Sequence, residues 1–308
     1  MVVATVCNHK GGTGKTTSAL GLAAALGLSG RRVLLIDLDP QAFLSRALGA
    51  KDPDARHSSL ALFDEETRLG ALRTRSMSGF DLLPAHGRLT RRMRRLNKPT
   101  DVLWTRETIE RGREALDAGD DPAAADEGEM YDVLLFDTAA AVTVYSLNAL
   151  VASDQVVIPV TPEYQPVVGA EQTYRTIQTV QSRLNPGLAE PHFLLTQVDG
   201  RKRAHKRYQR YLREQYGERV LESIIRTSSA LARTPEDGTT VFDYAPQARG
   251  ARDYANATDE WVARVEAARS KQKPVPAGAA EAGDAGGNPQ APPRGSAASG
   301  ATLAGSLD

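Results

Sequence analysis

The sequence predicts an α/β protein in which a doubly wound, mostly parallel sheet is flanked by helices. Six apolar segments recur along the 308-residue chain, separated by helical or polar stretches. Because these segments are apolar throughout rather than alternating, they are typical of strands in a parallel sheet covered on both faces. The segments are residues 2–7, 32–37, 80–83, 132–136, 155–160 and 192–196. Right-handed crossovers bring their carboxyl ends to one edge of the sheet, where ligands bind in open α/β folds.

The composition fits a cytoplasmic protein. Lys and Arg together number 38, as do Asp and Glu, so the net charge of zero argues neither for nor against a nucleic-acid partner. Cys7 is the only cysteine, which excludes an intramolecular disulfide and suits a reducing compartment. No apolar run approaches the roughly 20 residues that a membrane-spanning helix needs, and the N-terminus lacks the charged head of a signal peptide. We therefore expect no membrane partner.

The chain is predicted to form one folded domain, residues 1–268, with an insertion and a tail. Seven acidic residues lie between Glu114 and Glu129, and this pattern predicts a flexible acidic insertion at about 114–130. Residues 269–308 are rich in Ala, Gly and Pro and contain no aromatic residue, so we expect a disordered tail. Six basic residues lie between Arg88 and Lys98. They are either extra phosphate-contacting surface or a counterweight to the acidic insertion, and both interpretations stay open.

A glycine-rich turn follows the first predicted strand and opens the first predicted helix. It reads Lys-Gly-Gly-Thr-Gly-Lys-Thr-Thr at residues 10–17. Its glycines let successive backbone N–H groups point at phosphate oxygens, and the helix N-terminus adds a favourable dipole. The motif predicts a P-loop NTPase in which Lys15 contacts the β- and γ-phosphates of ATP and the Thr16 hydroxyl ligates Mg²⁺. The predicted nucleotide-binding residues of this turn are Lys10, Gly11, Gly12, Thr13, Gly14, Lys15, Thr16 and Thr17.

Acidic residues follow two other predicted strands. An Asp-Leu-Asp-Pro-Gln segment begins at Asp37, and the two-residue period of an extended chain places Asp37 and Asp39 on one side, facing the phosphate loop. The apolar run at 133–136 ends in Asp137. This is typical of a Walker B strand, whose carboxylate holds Mg²⁺ through water.

Together these motifs resemble the deviant Walker A ATPases of the ParA/MinD superfamily, and in particular the ParA/Soj-type chromosome and plasmid partition ATPases. The extra lysine of the loop, Lys10, matches the family signature, and the resemblance implies that it reaches across a dimer interface to the partner's nucleotide. The resemblance also implies that Asp37 lies by the Mg²⁺ shell and that Asp39 orients the attacking water. The predicted catalytic residues are thus Lys10, Lys15 and Asp39, and the predicted metal site is Thr16, Asp37 and Asp137.

Two segments depart from the family pattern. The usual D-x-P-P-S turn is Asp-Thr-Ala-Ala-Ala from Asp137 onward, and the small residues usual after D-P-Q are replaced by Ala42, Phe43 and Leu44. Because proline restricts φ, its loss loosens a segment that senses the γ-phosphate. We expect slow, partner-stimulated hydrolysis, and the departures bear on its rate more than on ATP binding.

A strongly basic segment follows the last predicted strand. Residues 201–213 include seven Lys or Arg residues, which in a helix form a stripe that can neutralise DNA phosphates without reading sequence. A solvated helix face balanced by Glu214 and Glu218 is the alternative. The resemblance favours DNA, because ParA-type proteins carry a basic residue soon after Thr-x-x-Asp, where Arg201 follows Asp199. The predicted DNA-binding residues are Arg201, Lys202, Arg203, Lys206, Arg207 and Arg210.

The segment at 225–238 resembles the family segment that borders the adenine pocket, although it lacks the usual proline and asparagine. Arg226 in this segment is therefore predicted to help position nucleotide or DNA. Because the phosphate loop starts at residue 10, the resemblance favours the short form of the family, which has no helix-turn-helix domain and does not bind a specific operator.

The resemblance implies an ATP-dependent DNA segregation ATPase that is cytoplasmic and associated with the nucleoid. ATP and Mg²⁺ would close a homodimer, the homodimer would bind double-stranded DNA non-specifically, and a ParB-type centromere-binding protein would stimulate hydrolysis. Two alternatives stay open: a ParA-like positioner of another cargo, and a nucleotide-dependent DNA-coating scaffold with negligible hydrolysis. A MinD-like membrane role is not expected, because the tail has no amphipathic helix with bulky apolar residues.

Overall fold

The computed structural model describes residues 1–50, 53–64, 67, 72, 74–94, 96, 98–117 and 131–272. Its strands are β1 (Val2–Val6), β2 (Val33–Asp37), β3 (Arg75–Ser76), β4 (Asp81–Leu83), β5 (Val133–Asp137), β6 (Gln155–Val160), β7 (His192–Val198) and β8 (Val220–Arg226). They form one sheet in the order β3-β4-β2-β5-β1-β6-β7-β8. The β3–β4 pair is antiparallel and the other described pairs are parallel. The predicted α/β class with a mostly parallel sheet is confirmed.

Helices connect the strands and cover both faces of the sheet. The α-helices are α1 (Lys15–Leu28), α2 (Phe43–Ala47), α3 (Leu89–Met93), α4 (Trp104–Asp117), α5 (Val144–Ala152), α6 (Tyr164–Arg183), α7 (Arg203–Tyr216), α8 (Ser229–Asp237), α9 (Val241–Tyr244) and α10 (Arg249–Gln272). Short 3-10 helices span Ala55–His57, Ser59–Phe63, Pro99–Val102 and Gly217–Arg219. Among the described helices, none has the length and apolarity needed to cross a membrane.

The core lies in two layers, one on each face of the sheet. On one face α1 and α10 pack over strand residues such as Leu35 and Leu135, and Trp261 is almost fully buried there. On the other face Ile36 belongs to a buried cluster that includes Tyr145 of α5. Neighbouring residues of one strand face different layers, and both layers are buried. The central strands are therefore apolar on both faces. This double burial explains why their sequence pattern predicted them.

Two strands at the edges of the sheet were not predicted. Strand β3 has only two residues and both are exposed. Strand β8 carries exposed Glu222 and Arg226, and its register with β7 shifts at Leu195 and Val198. Edge strands pair on one side only, so polar residues interrupt the apolar pattern that identifies central strands.

Two described helices extend past the predicted domain boundaries, and the division into domain, insertion and tail stays a prediction. Helix α10 continues to Gln272, so the predicted domain end at residue 268 falls inside a helix. Helix α4 continues to Asp117, so the first residues of the predicted insertion at 114–130 are helical. The rest of that insertion, the tail beyond residue 272 and Arg95 of the basic cluster lie outside the described residues.

Candidate nucleotide site and basic helix

The phosphate loop lies between β1 and α1, at the carboxyl edge of the sheet. Gly12 and Gly14 have φ angles of 76° and 81°, a region that residues with a side chain rarely adopt, and α1 starts directly after Gly14. Lys15 is buried, and its Nζ donates to the carbonyl oxygen of Lys10 at 3.0 Å. Burial lowers the pKa of Lys15, and the nearby Asp137 partly offsets this effect. A buried cation beneath a helix N-terminus is a suitable receptor for phosphate.

The remaining loop residues surround this cation. Gly11 and Gly12 are exposed, Thr13 is fully buried, and Thr16 and Thr17 follow Lys15 in the first turn of α1 with partly exposed side chains. Two side chains of β7 donate hydrogen bonds to backbone carbonyl oxygens of the loop. Thr196 Oγ1 donates to the Thr13 carbonyl oxygen at 2.8 Å, and Gln197 Nε2 donates to the Gly12 carbonyl oxygen at 2.6 Å.

Lys10 has a fixed backbone and an exposed side chain. Its N–H donates to Asn8 Oδ1 at 2.9 Å, and the N–H of His9 donates to Thr173 Oγ1 of α6 at 2.9 Å. Helix α6 approaches so closely that a Cβ on Gly169 would lie 2.6 Å from Cβ of Lys10. Only glycine fits this approach without displacing the loop. The Lys10 side chain is therefore held at the surface beside the phosphate loop.

Asp37 is fully buried at the end of β2 and organises the segment that follows it. Its Oδ1 accepts from the N–H of Asp39 at 3.0 Å, and its Oδ2 accepts from the N–H and the hydroxyl of Ser45 at 2.9 and 2.6 Å. Burial raises the pKa of Asp37 to about 6, although the Ser45 hydrogen bonds act in the opposite direction. Because both oxygens already have donors, Asp37 suits an indirect place beside a metal ion rather than a direct one.

Asp137 is the carboxylate best suited to a cation. It pairs in register with Asp37 and with Val6, and both of its side-chain oxygens are buried without a hydrogen bond of ordinary geometry to the described residues. Burial, followed by repulsion from Asp37, raises its pKa well above the usual range, while the nearby Thr16 hydroxyl has a smaller lowering effect. Buried carboxylates without partners are costly unless a cation compensates them. Thr16 and Asp137 therefore fit Mg²⁺.

The small number of protein ligands at this site also suits Mg²⁺. Within the described part of the chain, no group of three or more His, Cys, Asp or Glu side chains could hold a metal by itself. Mg²⁺ commonly takes one or two protein ligands and completes its octahedral shell with water and substrate phosphates.

Asp39 lies nearer to solvent than the other two carboxylates. Its side chain is partly exposed, and its Oδ1 accepts from the N–H of Gln41 at 2.8 Å. Its charge acts on both Lys15 and Asp137. The chain then turns sharply at Ala42, whose φ of 52° is unusual for a residue with a side chain. The role of Asp39 in orienting the attacking water stays a prediction.

Three large apolar side chains are exposed along this edge of the sheet. Phe43, Val142 and Tyr164 are 58%, 51% and 63% exposed. They follow β2, β5 and β6, and β5 and β6 are the two neighbours of β1. We refer to these three residues as the apolar rim.

Helix α7 carries most of the predicted DNA-binding residues. Arg203, Lys206 and Arg210 are exposed, and no ion pair to another described residue engages them. In the alternative interpretation Glu214 and Glu218 balance the stripe. In the described part of the chain, neither glutamate forms an ion pair with these three residues. The stripe is therefore available to an external polyanion.

The other basic residues of this segment have partners. Arg201 pairs with Asp199 at 2.9 Å, and Lys202 pairs with Glu163 at 3.0 Å. The guanidinium carbon of Arg207 lies 4.8 Å from the centre of the Tyr208 ring. All three remain exposed, so the pairs can be exchanged for phosphates at modest cost.

Buried His205 anchors α7 to the rest of the fold. Its Nδ1 accepts from the N–H of Asp199 at 3.1 Å, which leaves Nε2 to donate to Glu163 at 2.9 Å. Glu163 immediately precedes α6, the helix that contacts Lys10. The basic helix and the phosphate loop are thus attached to the same element.

Arg226 ends β8, which is separated from β1 by two strands. Its guanidinium pairs with Asp253 of α10, and its N–H donates to the same carboxylate at 2.9 Å. This ion pair directs the Arg226 guanidinium toward α10. A role in positioning nucleotide or DNA stays a prediction.

Several contacts of the site were not predicted from the sequence. Gly169, Gln197 and the Glu163–His205 pair connect residues that are far apart in the chain. Thr196 was visible in the Thr-x-x-Asp motif, but its contact with the loop was not. A single sequence carries no local signal for such long-range contacts.

The fold and this edge of the sheet define a P-loop nucleotide-binding protein. A family model described as an AAA domain matches residues 1–190. The chromosome-partitioning ATPase Soj of Thermus thermophilus is 35% identical over 263 residues, which cover 85% of this chain and 96% of that protein. The chromosome partitioning protein ParA of Caulobacter vibrioides is 30% identical, with 85% and 94% covered. The chain therefore belongs to the Soj/ParA family of chromosome-partitioning ATPases.

Solved structures share this fold. A cobyrinic acid a,c-diamide synthase from Mycobacterium smegmatis, with a bound ATP analogue and magnesium, has a TM-score of 0.66 and 28% identity over 87% of this chain and 97% of that one. A putative plasmid partition protein from Borrelia burgdorferi bound to AMPPNP has the same fold, with a TM-score of 0.66 and 21% identity over 85% and 99%. Nucleotide and Mg²⁺ are thus properties of related proteins.

Proposed function

We propose that this chain is an ATP-dependent partition ATPase that dimerises on ATP, binds DNA non-specifically and is reset by ParB-stimulated hydrolysis. The observation that carries the proposal is the exposed Lys10 beside a phosphate loop that already contains a second lysine, Lys15. Lys15 is buried and would contact the nucleotide of its own subunit. Lys10 is held at the surface and can reach the nucleotide of a second subunit.

Different residues at the loop would bind ATP and support its hydrolysis. When ATP binds, the Lys15 ammonium would exchange its hydrogen bond with the Lys10 carbonyl for contacts with the β- and γ-phosphates. The loop N–H groups would bind the phosphate oxygens. Thr16 and Asp137 would hold Mg²⁺, and Asp37, the strand neighbour of Asp137, would support the site without binding the ion directly. When bound, Mg²⁺ neutralises the charge that develops on the phosphates. Asp39 orients the attacking water, and its partial exposure leaves room for that water.

The apolar rim supports dimerisation at the same edge. Val142 and Tyr164 follow the strands on either side of β1, so a second subunit that delivers Lys10 would also cover them. Burying apolar area contributes about 25 cal/mol per Å². Nucleotide charge and apolar burial would then act together, which makes the dimer dependent on ATP.

A nucleotide-dependent DNA-coating scaffold with negligible hydrolysis is the second candidate. It is favoured by the segment after Asp137, where alanines stand in place of the family's prolines, and by the unusual backbone at Ala42. Steady-state phosphate release with and without DNA and a ParB-type protein separates the two candidates. An ATPase is stimulated severalfold, whereas a scaffold shows no turnover above background.

DNA binding is tested by removing the unpaired stripe of α7. Changing Arg203, Lys206 and Arg210 to alanine should lower the affinity of the ATP-bound protein for non-specific DNA at least ~10-fold near physiological salt. The slope of log affinity against log salt should also become shallower by about 1 for each phosphate that the variant no longer neutralises. Fluorescence anisotropy across a salt series measures both effects.

The matched control changes three exposed arginines of the basic cluster, Arg88, Arg91 and Arg94, to alanine. This variant loses the same formal charge at the other end of the sheet and should keep most of its affinity. Equal losses of affinity in the two variants would mean that α7 has no special role in DNA binding, because either total charge or the basic cluster itself would contribute as much.

A further inference from the structure

Gln197 has a backbone conformation that needs an explanation. Its φ is 52°, and Ala42 is the other residue with a side chain that has positive φ among those the structure describes. It lies where the pairing of β7 with β8 is irregular, between Leu195 and Val198. Strained residues of this kind persist only when surrounding contacts hold them, and they concentrate at functional sites.

The side chain of Gln197 holds one peptide of the phosphate loop. Its Nε2 donates to the Gly12 carbonyl oxygen at 2.6 Å. In a trans peptide the carbonyl and the following N–H point in opposite directions. A carbonyl directed at Gln197 therefore directs the N–H of Thr13 away from β7. Thr196 Oγ1 has the same effect on the next peptide, because it binds the Thr13 carbonyl oxygen at 2.8 Å and so directs the N–H of Gly14.

Contacts on the other side keep Gln197 in place. Thr227 Oγ1 donates to the Gln197 carbonyl oxygen at 3.1 Å, and the N–H of Thr227 donates to the Val198 carbonyl oxygen at 3.1 Å. Two residues further on, Asp199 binds Arg201 and His205 at the start of the basic segment. Gln197 is thus held between the loop that would bind phosphates and the segment that leads into α7.

We propose that Gln197 is a positioning residue of the nucleotide site: its amide fixes the Gly12 peptide so that the N–H of Thr13 faces the phosphates beyond the α-phosphate. This inference rests on the proposed nucleotide site. The strained backbone is what brings the amide to the loop, since in a regular strand the side chain at this position would alternate to one face of the sheet. Gln197 touches no reacting atom and acts through the loop.

The test uses two variants of the full chain. Gln197→Met keeps the length of the side chain without the donor, and Gln197→Gly removes the donor and also relieves the backbone strain. Both should weaken the binding of MgADP and MgATP by roughly 10-fold, as expected for one misdirected donor to a charged group. AMP, which lacks the outer phosphates, should bind the variants and the unmodified protein equally. Isothermal titration calorimetry with the three nucleotides provides the constants.

Melting temperature separates positioning from a general structural role. Gln197→Gly should melt at or above the temperature of the unmodified protein, while its affinity for ADP falls. The matched control is Gln215→Met on the exposed end of α7, which should bind all three nucleotides within twofold of the unmodified protein.

Two results overturn the inference alone: ADP binding by Gln197→Met within twofold of the unmodified protein, or equal losses of affinity for ADP and AMP. If the unmodified protein itself bound neither MgATP nor MgADP, the proposed nucleotide site would fail, and this inference would fail with it.

Discussion

Replacing Asp39 by alanine should lower ATP turnover at least ~100-fold while leaving the ATP-bound dimer on DNA. Asp39 is the carboxylate of this site that is open to solvent, with Oδ1 engaged by Gln41 and its second oxygen available for water. The buried pair Asp37 and Asp137 is untouched by the change, so binding of MgATP should persist. Phosphate release measures turnover, and the lifetime of the protein on DNA after removal of free ATP measures resetting.

The control for Asp39→Ala is Asp259→Ala, which removes an exposed aspartate of α10. It should hydrolyse ATP and leave DNA as the unmodified protein does. An Asp39→Ala protein that turned over ATP at the normal rate would remove Asp39 from the mechanism. One that no longer dimerised would contradict the assignment of Asp39 to hydrolysis rather than assembly.

Replacing Lys10 by alanine should strongly weaken the ATP-dependent dimer while the single subunit still binds ATP. Lys15 remains beneath the loop, so most of the affinity for one nucleotide is retained. The interaction that the change removes is the one between a lysine and the triphosphate of the other subunit. Truncating one member of a buried charge pair costs about 2 to 5 kcal/mol. The dimer dissociation constant should therefore rise at least ~30-fold.

Lys98→Ala is the matched control for this change, because Lys98 is another exposed lysine and precedes a short 3-10 helix away from β1. It should dimerise normally. If Lys10→Ala dimerised as well as Lys98→Ala, the exposed lysine would have no role in assembly, and the separation of roles between Lys10 and Lys15 would be wrong.

The fold class and the phosphate loop could be predicted because their signals are local. The buried strands on both sides of β1 are apolar apart from Asp137 and Gln155 at their ends, and the Gly-rich turn follows β1 directly. The positive φ angles of Gly12 and Gly14 are what such a turn requires. Asp137 could be predicted because it ends a strand next to β1, where the topology of a parallel sheet places it beside the loop.

Other features could not be predicted from the sequence because they depend on the approach of distant segments. Gly169 is needed only because α6 reaches Lys10, and Gln197 is strained only because the irregular β7–β8 pairing turns it toward Gly12. The Ser45 hydrogen bonds of Asp37 have the same character: they give this carboxylate a role in holding α2 that its motif does not reveal. Each is a tertiary contact, and local propensity carries no information about it.

The most direct test is analytical ultracentrifugation of the unmodified protein with Mg²⁺ and a non-hydrolysable ATP analogue, with ADP, or without nucleotide. One chain has a mass of 33.1 kDa. We expect a species of about twice that mass with the analogue and a single subunit in the other two conditions, because only the γ-phosphate brings Lys10 of each subunit to the other's nucleotide. A single subunit that bound the analogue to saturation and stayed single would contradict the account.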